Sequence, residues 1–409
     1  MDDKLKTTLK HLGLFIITFI TASIAGTGWI NGNVWPYTPY SWDDFVLGMG
    51  FSIPFLLILT VHEFGHYFMA KYHKVKTSLP YYIPMPPFPL SIGTMGAVIR
   101  IREHIKSKKI HFDIGIAGPL AGFVVAIALL TYGYATLPSL DYLFKIHPEY
   151  AQYGDDYADH VYTYEFQKEQ SLRLYQEARV ADSLEAVQNG EIKGWSFPPY
   201  EEQASYPNVS IGKPLLVLFL ENFAPDKKLI PNANELMHYP LLMAGFLSLL
   251  FTALNLMPIG QLDGGHVLYG LVGTHWHRKI ATAVFIAFLL YAGLGYVTPF
   301  DGFESLLWNV PLYIGFLYIA LRGLKKSTQE TLMYALIIFT VQFLTPFVFP
   351  HAVGYSGWLF FALLVGRFLG VYHPPAPIEE PLDFNRKVLG WLSLFIFIIS
   401  FSPTPFIFG

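Results

Sequence analysis

The 409-residue chain is 53% hydrophobic and 17% aromatic, with 14% charged residues and a mean hydropathy of +0.39. Soluble globular domains carry about a quarter charged residues, so the shortfall points to a polytopic membrane protein, where charge in the hydrocarbon core is costly. A formal net charge of −3 offers no footprint for nucleic acid, and the absence of cysteine excludes disulfides, thiolate ligands and a cysteine nucleophile.

The N-terminal stretch MDDKLKTTLKHLGLFIITFITASIAG combines a basic start with an apolar run, the outline of a secretory signal. The run is long enough to span a bilayer and many further spans follow, so a retained first helix is expected. Apolar runs then recur near residues 9–30, 44–70, 112–135, 239–271, 280–298, 306–322, 331–349, 355–371 and 388–402. Pro311, Pro346 and Pro350 interrupt or bound the later ones, so eight or nine spans are expected.

Basic residues cluster in the connections. Lys4, Lys6 and Lys10 precede the first span, Lys71, Lys74 and Lys76 follow the second, and Arg100, Arg102, Lys106, Lys108 and Lys109 precede the third. Arg278 and Lys279 follow the fourth span, and Arg322, Lys325 and Lys326 the sixth. Alternating spans place all of these on one face, which the positive-inside rule makes cytoplasmic. Nine spans then end the chain outside, and eight would end it inside. The one large soluble insert, residues 139–238, has sixteen acidic against eight basic residues, in keeping with the opposite face. Within it, residues 165–188 have the pattern of an exposed amphipathic helix, and residues 211–223 suit an interfacial helix or a flap.

The second span contains His62-Glu63-Phe64-Gly65-His66. Residues i and i+4 share a helix face, so both imidazoles reach one metal ion. A zinc ion lowers the pKa of water from about 16 to roughly 7, and the adjacent Glu63 can act as general base and acid. Three ionisable groups inside a spanning run are costly unless paired or metal-bound, which favours function over chance.

A catalytic zinc site has three protein ligands, so a further buried acid is required. Residues 255–266 read NLMPIGQLDGGH, and Asp263 is the only carboxylate between Glu235 and Asp301. Pro258, Gly260, Gly264 and Gly265 predict a broken helix there, tolerated at membrane depth only inside protein or against a cavity. His266, three residues later, suits either a supporting partner of the site or, preferably, the cytoplasmic end of a helix turn.

Two further stretches surround this pair. Gly115, Gly118 and Gly122 in GIAGPLAG have the spacing that lets helices approach closely. Residues 79–103 are too proline-rich for a helix, while MGAVIRIR alternates like a strand. That stretch is either a hairpin dipping into the membrane, with Met95, Gly96 and Ala97 on an edge that an extended substrate could join, or a proline-rich cytoplasmic connector. His11, His104, His111, His147, His160 and His351 lie at helix ends or in loops, where interface and solvent roles suffice.

HEFGH at 62–66, GTMG at 93–96, GPLAG at 118–122 and NLMPIGQLDGG at 255–265, in that order, resemble the site-2 protease family of intramembrane metalloproteases. The resemblance covers residues 44–272 apart from the insert. It implies one Zn2+ per chain held by His62, His66 and Asp263, with Glu63 activating water. It also implies a membrane-dipping hairpin at 93–100, and a role for Asn255 in holding extended substrate. The implied partners are transmembrane protein substrates in a lipid bilayer, commonly shortened first by a site-1-type protease. The insert lacks a G-L-G-F-like carboxylate loop and the later spans exceed the family core, so the chain looks most like PDZ-less, many-spanning bacterial and plastid-type members.

The expected fold is an all-α polytopic membrane protein of eight or nine helices with a membrane-dipping β-hairpin and one soluble insert, in a bacterial inner membrane. Residues 1–43 form the first helix and loop, 44–138 and 239–272 the two halves of the catalytic core, 139–238 the insert and 273–409 additional spans. Two other functions make different demands on the sequence. A metal transporter should show repeated halves and relay carboxylates, which are not visible. A non-catalytic substrate-binding relative should have lost a ligand or Glu63, and all four residues are present.

Overall fold

Long apolar runs without internal turn signals become helices because a helix satisfies every backbone polar group within one segment. A computed structural model describes residues 3–189, 196–201 and 209–408. Helix α1 runs Asp3–Asn31 and α2 runs Trp42–Tyr72, the latter started by a capping box between Ser41 and Asp44. A hairpin follows, with β1 at Tyr81–Pro84 antiparallel to β2 at Thr94–Val98, then α3 at Lys108–Ala135.

The insert opens with short helices α4 (Asp141–Ile146) and α5 (Tyr157–Val161), then the long α6 (Tyr164–Gln188). Strand β3 (Val209–Ile211) and the short α7 (Leu215–Leu220) return the chain to the membrane body. Parts of the expected insert, 190–195 and 202–208, lie outside the described residues. The apolar 211–223 stretch supplies only the six-residue α7, with strand before it and a 3-10 turn at Glu221–Phe223 after it.

Helix α8 (Pro240–Leu256) and α9 (Asp263–Ala292) are separated by the irregular stretch 257–262. After them come α10 (Phe303–Leu321), α11 (Thr328–Val348), α12 (Gly357–Leu364), α13 (Phe384–Ser400) and β4 (Phe406–Phe408). The spans expected at 239–271 and 280–298 divide differently. Their boundary is a kink inside α9 at Gly273, where φ is +72°, and Arg278 and Lys279 lie within the helix. The charge of Arg278 lies over the Tyr372 ring and that of Lys279 over Trp276, so both reach aromatic partners without a loop.

Among the described residues five helices, within α1, α2, α3, α10 and α11, are long and apolar enough to cross a membrane. With their exposed apolar surfaces, such as Leu312, Ile337 and Phe347, they make this an integral membrane protein. The core lies where α2, α3 and α8 meet, around Phe51, Phe55, Leu130, Tyr134 and Phe246. Strand β4 pairs antiparallel with β3, Ser210 opposite Ile407, which ties the chain after α13 to the insert on the same side of the molecule.

Candidate active site

His62, Glu63 and His66 lie in the second half of α2, and all three are buried. Glycines on α3 make this possible. A Cβ on Gly118 would stand 2.2 Å from His66 Nε2, and one on Gly122 would meet His62 Cβ at 3.1 Å. Across the interface, a Cβ on Gly65 would meet the Ala117 carbonyl at 2.6 Å. The small residues of GIAGPLAG therefore leave room for the histidine side chains themselves as well as for helix contact.

Asp263 is the first residue of α9, where the helix dipole favours a negative charge. The turn before it is tight. Gly260 has φ +59° and hydrogen-bonds through its N–H to the Val371 carbonyl, and a Cβ on Gly264 would stand 1.9 Å from the Leu256 carbonyl. The DGG sequence thus closes the break between α8 and α9 and projects Asp263 toward α2.

The Nε2 atoms of His62 and His66 are 3.1 Å apart, and Asp263 Oδ2 lies 3.5 and 3.3 Å from them. His66 Nδ1–H donates to the Ile114 carbonyl at 2.7 Å, which leaves Nε2 with its lone pair facing the others. Ligands about 2.0–2.1 Å from a tetrahedral zinc ion stand roughly 3.3 Å from one another. The spacing and donor chemistry of the triad therefore fit zinc. A Glu63 carboxylate oxygen lies 4.0 Å from His62 Nε2, beside the triad and outside it.

These residues open on a cleft of about 550 Å³ that Ala97, Val98, Ile99, Asn255, Gln261 and His266 also line. Asn255 and Ala97 therefore share the cleft with the triad, whereas Met95 and Gly96 are not on its wall. Met95 is 66% exposed and Gly96 turns with φ +99°. Val98 opposes Tyr81 and Ala97 opposes Tyr82, so β1 occupies one edge of β2 and the other has no strand partner among the described residues. The hairpin docks on α2 through a 2.7 Å hydrogen bond between Tyr82 and Thr60, and on α1 through Trp29 Nε1–H to the Ser91 carbonyl at 2.8 Å.

Other parts of the chain also reach the cleft. Pro374 and Pro375, from the connection between α12 and α13, line it, so the later part of the chain contributes to the wall. His266 Nδ1–H donates to His373 Nε2 at 2.7 Å, and His373 Nδ1–H to the Pro374 carbonyl. His266 is therefore a partner at the cleft wall, while His373 had no local motif to mark it.

The model of peptidase family M50 matches residues 50–298, which include every residue of the triad. The chain belongs to peptidase family M50. It is 27% identical over 218 residues to the probable zinc metalloprotease EGY1, chloroplastic, of Oryza sativa subsp. japonica, covering 53% of this chain and 27% of that relative. It is 25% identical over 234 residues to the Arabidopsis thaliana EGY1, covering 57% and 31%. A shorter match, 34% over 83 residues, joins it to the Arabidopsis EGY2, covering 20% and 14%. The chain thus spans less than a third of the length of these curated relatives. No solved structure matches it significantly.

Proposed function

We propose that the protein is an intramembrane zinc metalloendopeptidase of the site-2 type, hydrolysing peptide bonds in or near transmembrane segments of membrane protein substrates. One observation carries this reading. Two imidazoles and a carboxylate converge at ligand spacing beside Glu63, in a cleft among membrane helices next to an unpaired strand edge.

His62, His66 and Asp263 would hold one zinc ion, which when bound supplies Lewis acidity toward water and the scissile carbonyl. Glu63 removes a proton from the attacking water and returns it to the leaving amine. The edge at Met95, Gly96 and Ala97 holds the substrate extended by backbone hydrogen bonds, exposing a peptide bond that a helix would keep covered. Asn255, on the cleft wall, directs its amide at the substrate backbone and the developing oxyanion. Pro374, Pro375 and the hairpin narrow access from the side.

In this reading residues 44–138 and 239–272 are the two halves of the catalytic core, the hairpin dips into the membrane, and residues 273–409 add spans around it. The N-terminus and the basic connections face the cytoplasm of a bacterial inner membrane, and the acidic insert lies outside. With nine spans, the pairing of β4 with the insert's β3 agrees with a C-terminal end on that outer face. Substrates arrive already shortened by a site-1-type protease.

The test is cleavage of a single-span reporter in proteoliposomes. Glu63→Gln should retain zinc and lose cleavage by at least ~10²-fold, the low end for a general base. Wild-type cleavage in that variant would overturn the assignment.

A further inference from the structure

A second triad lies at the insert just before α8, whereas Asp263 of the first lies beyond the other end of that helix. His147, at the end of α4, meets Glu235 and His238, which sit in the 3-10 turn just before α8. The two Nε2 atoms are 3.2 Å apart, and Glu235 Oε2 is 3.3 Å from His238 Nε2 and 3.8 Å from His147 Nε2. The donor set, two imidazoles and a carboxylate, is that of the catalytic triad, at nearly the same spacing.

The surrounding bonds fix which atoms face inward. His238 Nδ1–H donates to the Ile30 carbonyl at 2.6 Å, and His147 Nδ1–H to Glu149 Oε1 at 3.3 Å. With those protons committed outward, neutral imidazoles present two bare Nε2 lone pairs to each other and to a carboxylate oxygen. Glu235 is 2% exposed; its Oε1 accepts from Tyr162 Oη at 2.6 Å, while Oε2 has no hydrogen-bond partner. In that neutral form three acceptors face one point, and the buried Glu235 Oε2, without a hydrogen bond among the described residues, is costly. A cation at that point resolves both. Tyr150 stacks on the His147 ring at 4.6 Å and holds its orientation.

A third histidine group, His111, His266 and His373, offers a contrast. There the protons run in sequence from His266 to His373 and on to the Pro374 carbonyl, so His373 already has a partner at each nitrogen. The His147, Glu235 and His238 group differs in holding a buried carboxylate oxygen without a hydrogen bond among the described residues.

We propose that His147, Glu235 and His238 form a second binding site for a divalent transition-metal ion of the zinc type, as the nitrogen and oxygen donors favour. The carbonyl and carboxylate behind the two histidines are the supporting shell that metal-bound imidazoles require. Bound there, the ion joins the entrance of the insert to its exit, 91 residues later, and holds both against the end of α1. Its role is to fasten the insert rather than to catalyse, and the site stands whether or not the α2 triad binds zinc.

The test uses the full chain purified in detergent, stripped with chelator, reloaded with Zn2+ alone and freed of excess metal. Zinc per chain is then measured by mass spectrometry. A His62→Ala/His66→Ala variant should keep one zinc ion, and adding His147→Ala should remove it. In the otherwise wild-type chain, His147→Ala should lower the zinc content by one ion, with helicity and elution volume confirming the fold. Zn2+ should raise the melting temperature of the His62→Ala/His66→Ala variant and leave the triple variant unmoved. The proposal fails if a folded His62→Ala/His66→Ala chain holds no zinc, or if His147→Ala leaves the zinc content unchanged. Zinc lost only with the α2 histidines would overturn this site alone, and zinc lost only with His147 would overturn the catalytic reading alone.

Discussion

A Cβ on Gly118 would stand 2.2 Å from Nε2 of His66, closer than real side-chain contacts allow. The same histidine is held from behind by the Ile114 carbonyl, one helical turn earlier on α3. Helix α3 thus both orients the imidazole and leaves the volume it occupies. Gly118→Ala should displace the ring and lower zinc affinity by about 10–100-fold, the usual consequence of disturbing a ligand's support. Competition titration against a chelator measures this, and unchanged affinity would show that α3 can move aside freely.

The Tyr82–Thr60 hydrogen bond docks the hairpin onto α2 near the triad. Tyr82→Phe removes it at a cost of about 1 kcal/mol, loosening the strand that holds substrate without touching the triad. KM for a transmembrane reporter should rise severalfold, with zinc content unchanged. A loss of zinc in this variant would show instead that the hairpin supports the metal site.

Asp113 joins three elements. Its carboxylate receives Nε and Nη2 of Arg386, each at 2.7 Å, and Nε2 of His73 at 2.8 Å, linking α13 and the end of α2 to the start of α3. Its side chain is only 9% exposed. Asp113→Ala removes the carboxylate that takes these three hydrogen bonds and leaves Arg386 only Asp383, and should destabilise the protein by about 1–3 kcal/mol. Thermal unfolding in detergent gives the measurement, and a melting temperature equal to wild type would remove this cluster from the stabilising contacts.

Outside the spans, hydrogen bonds from Thr274 and Tyr269 hold the Glu379 carboxyl below its ordinary value of 4.5. A depressed carboxylate stabilises the fold above its unfolded pKa, and that contribution disappears as pH falls through the folded value. Glu379→Gln should therefore melt earlier than wild type at pH 7, with the gap closing as the pH is lowered below about 4.5 toward the folded pKa. An equal gap at pH 7 and well below the folded value would mean that the bonds, and not the charge, matter.

The convergence of His62, His66 and Asp263 was legible because the first two share a helix face and the third is an isolated acid in a glycine-broken apolar run. The irregular stretch between α8 and α9 was legible for the same reason: Pro258 and the glycines leave no regular backbone available. Other features had no local signature. The break at Gly273 reads as a loop in sequence, since Arg278 and Lys279 follow it, but in the structure it is a single-residue kink and both cations lie in the helix beyond it, over aromatic rings. In sequence His147 reads as an interface or solvent residue, because its partners lie 88 and 91 residues away and are brought near only by the insert folding back. His373 carries no signal in sequence, since its contact is with His266, on a helix more than 100 residues earlier.

The pairing of β3 with β4 also sets a schedule. Strand β3 leaves the ribosome roughly 200 residues before its partner, which at ~5–20 residues per second is a wait of about 10–40 s. During synthesis that short edge at the insert stands open, and the helices between must be inserted before it can close. A chain cut before residue 406 lacks this seam between the insert and the end of the membrane body.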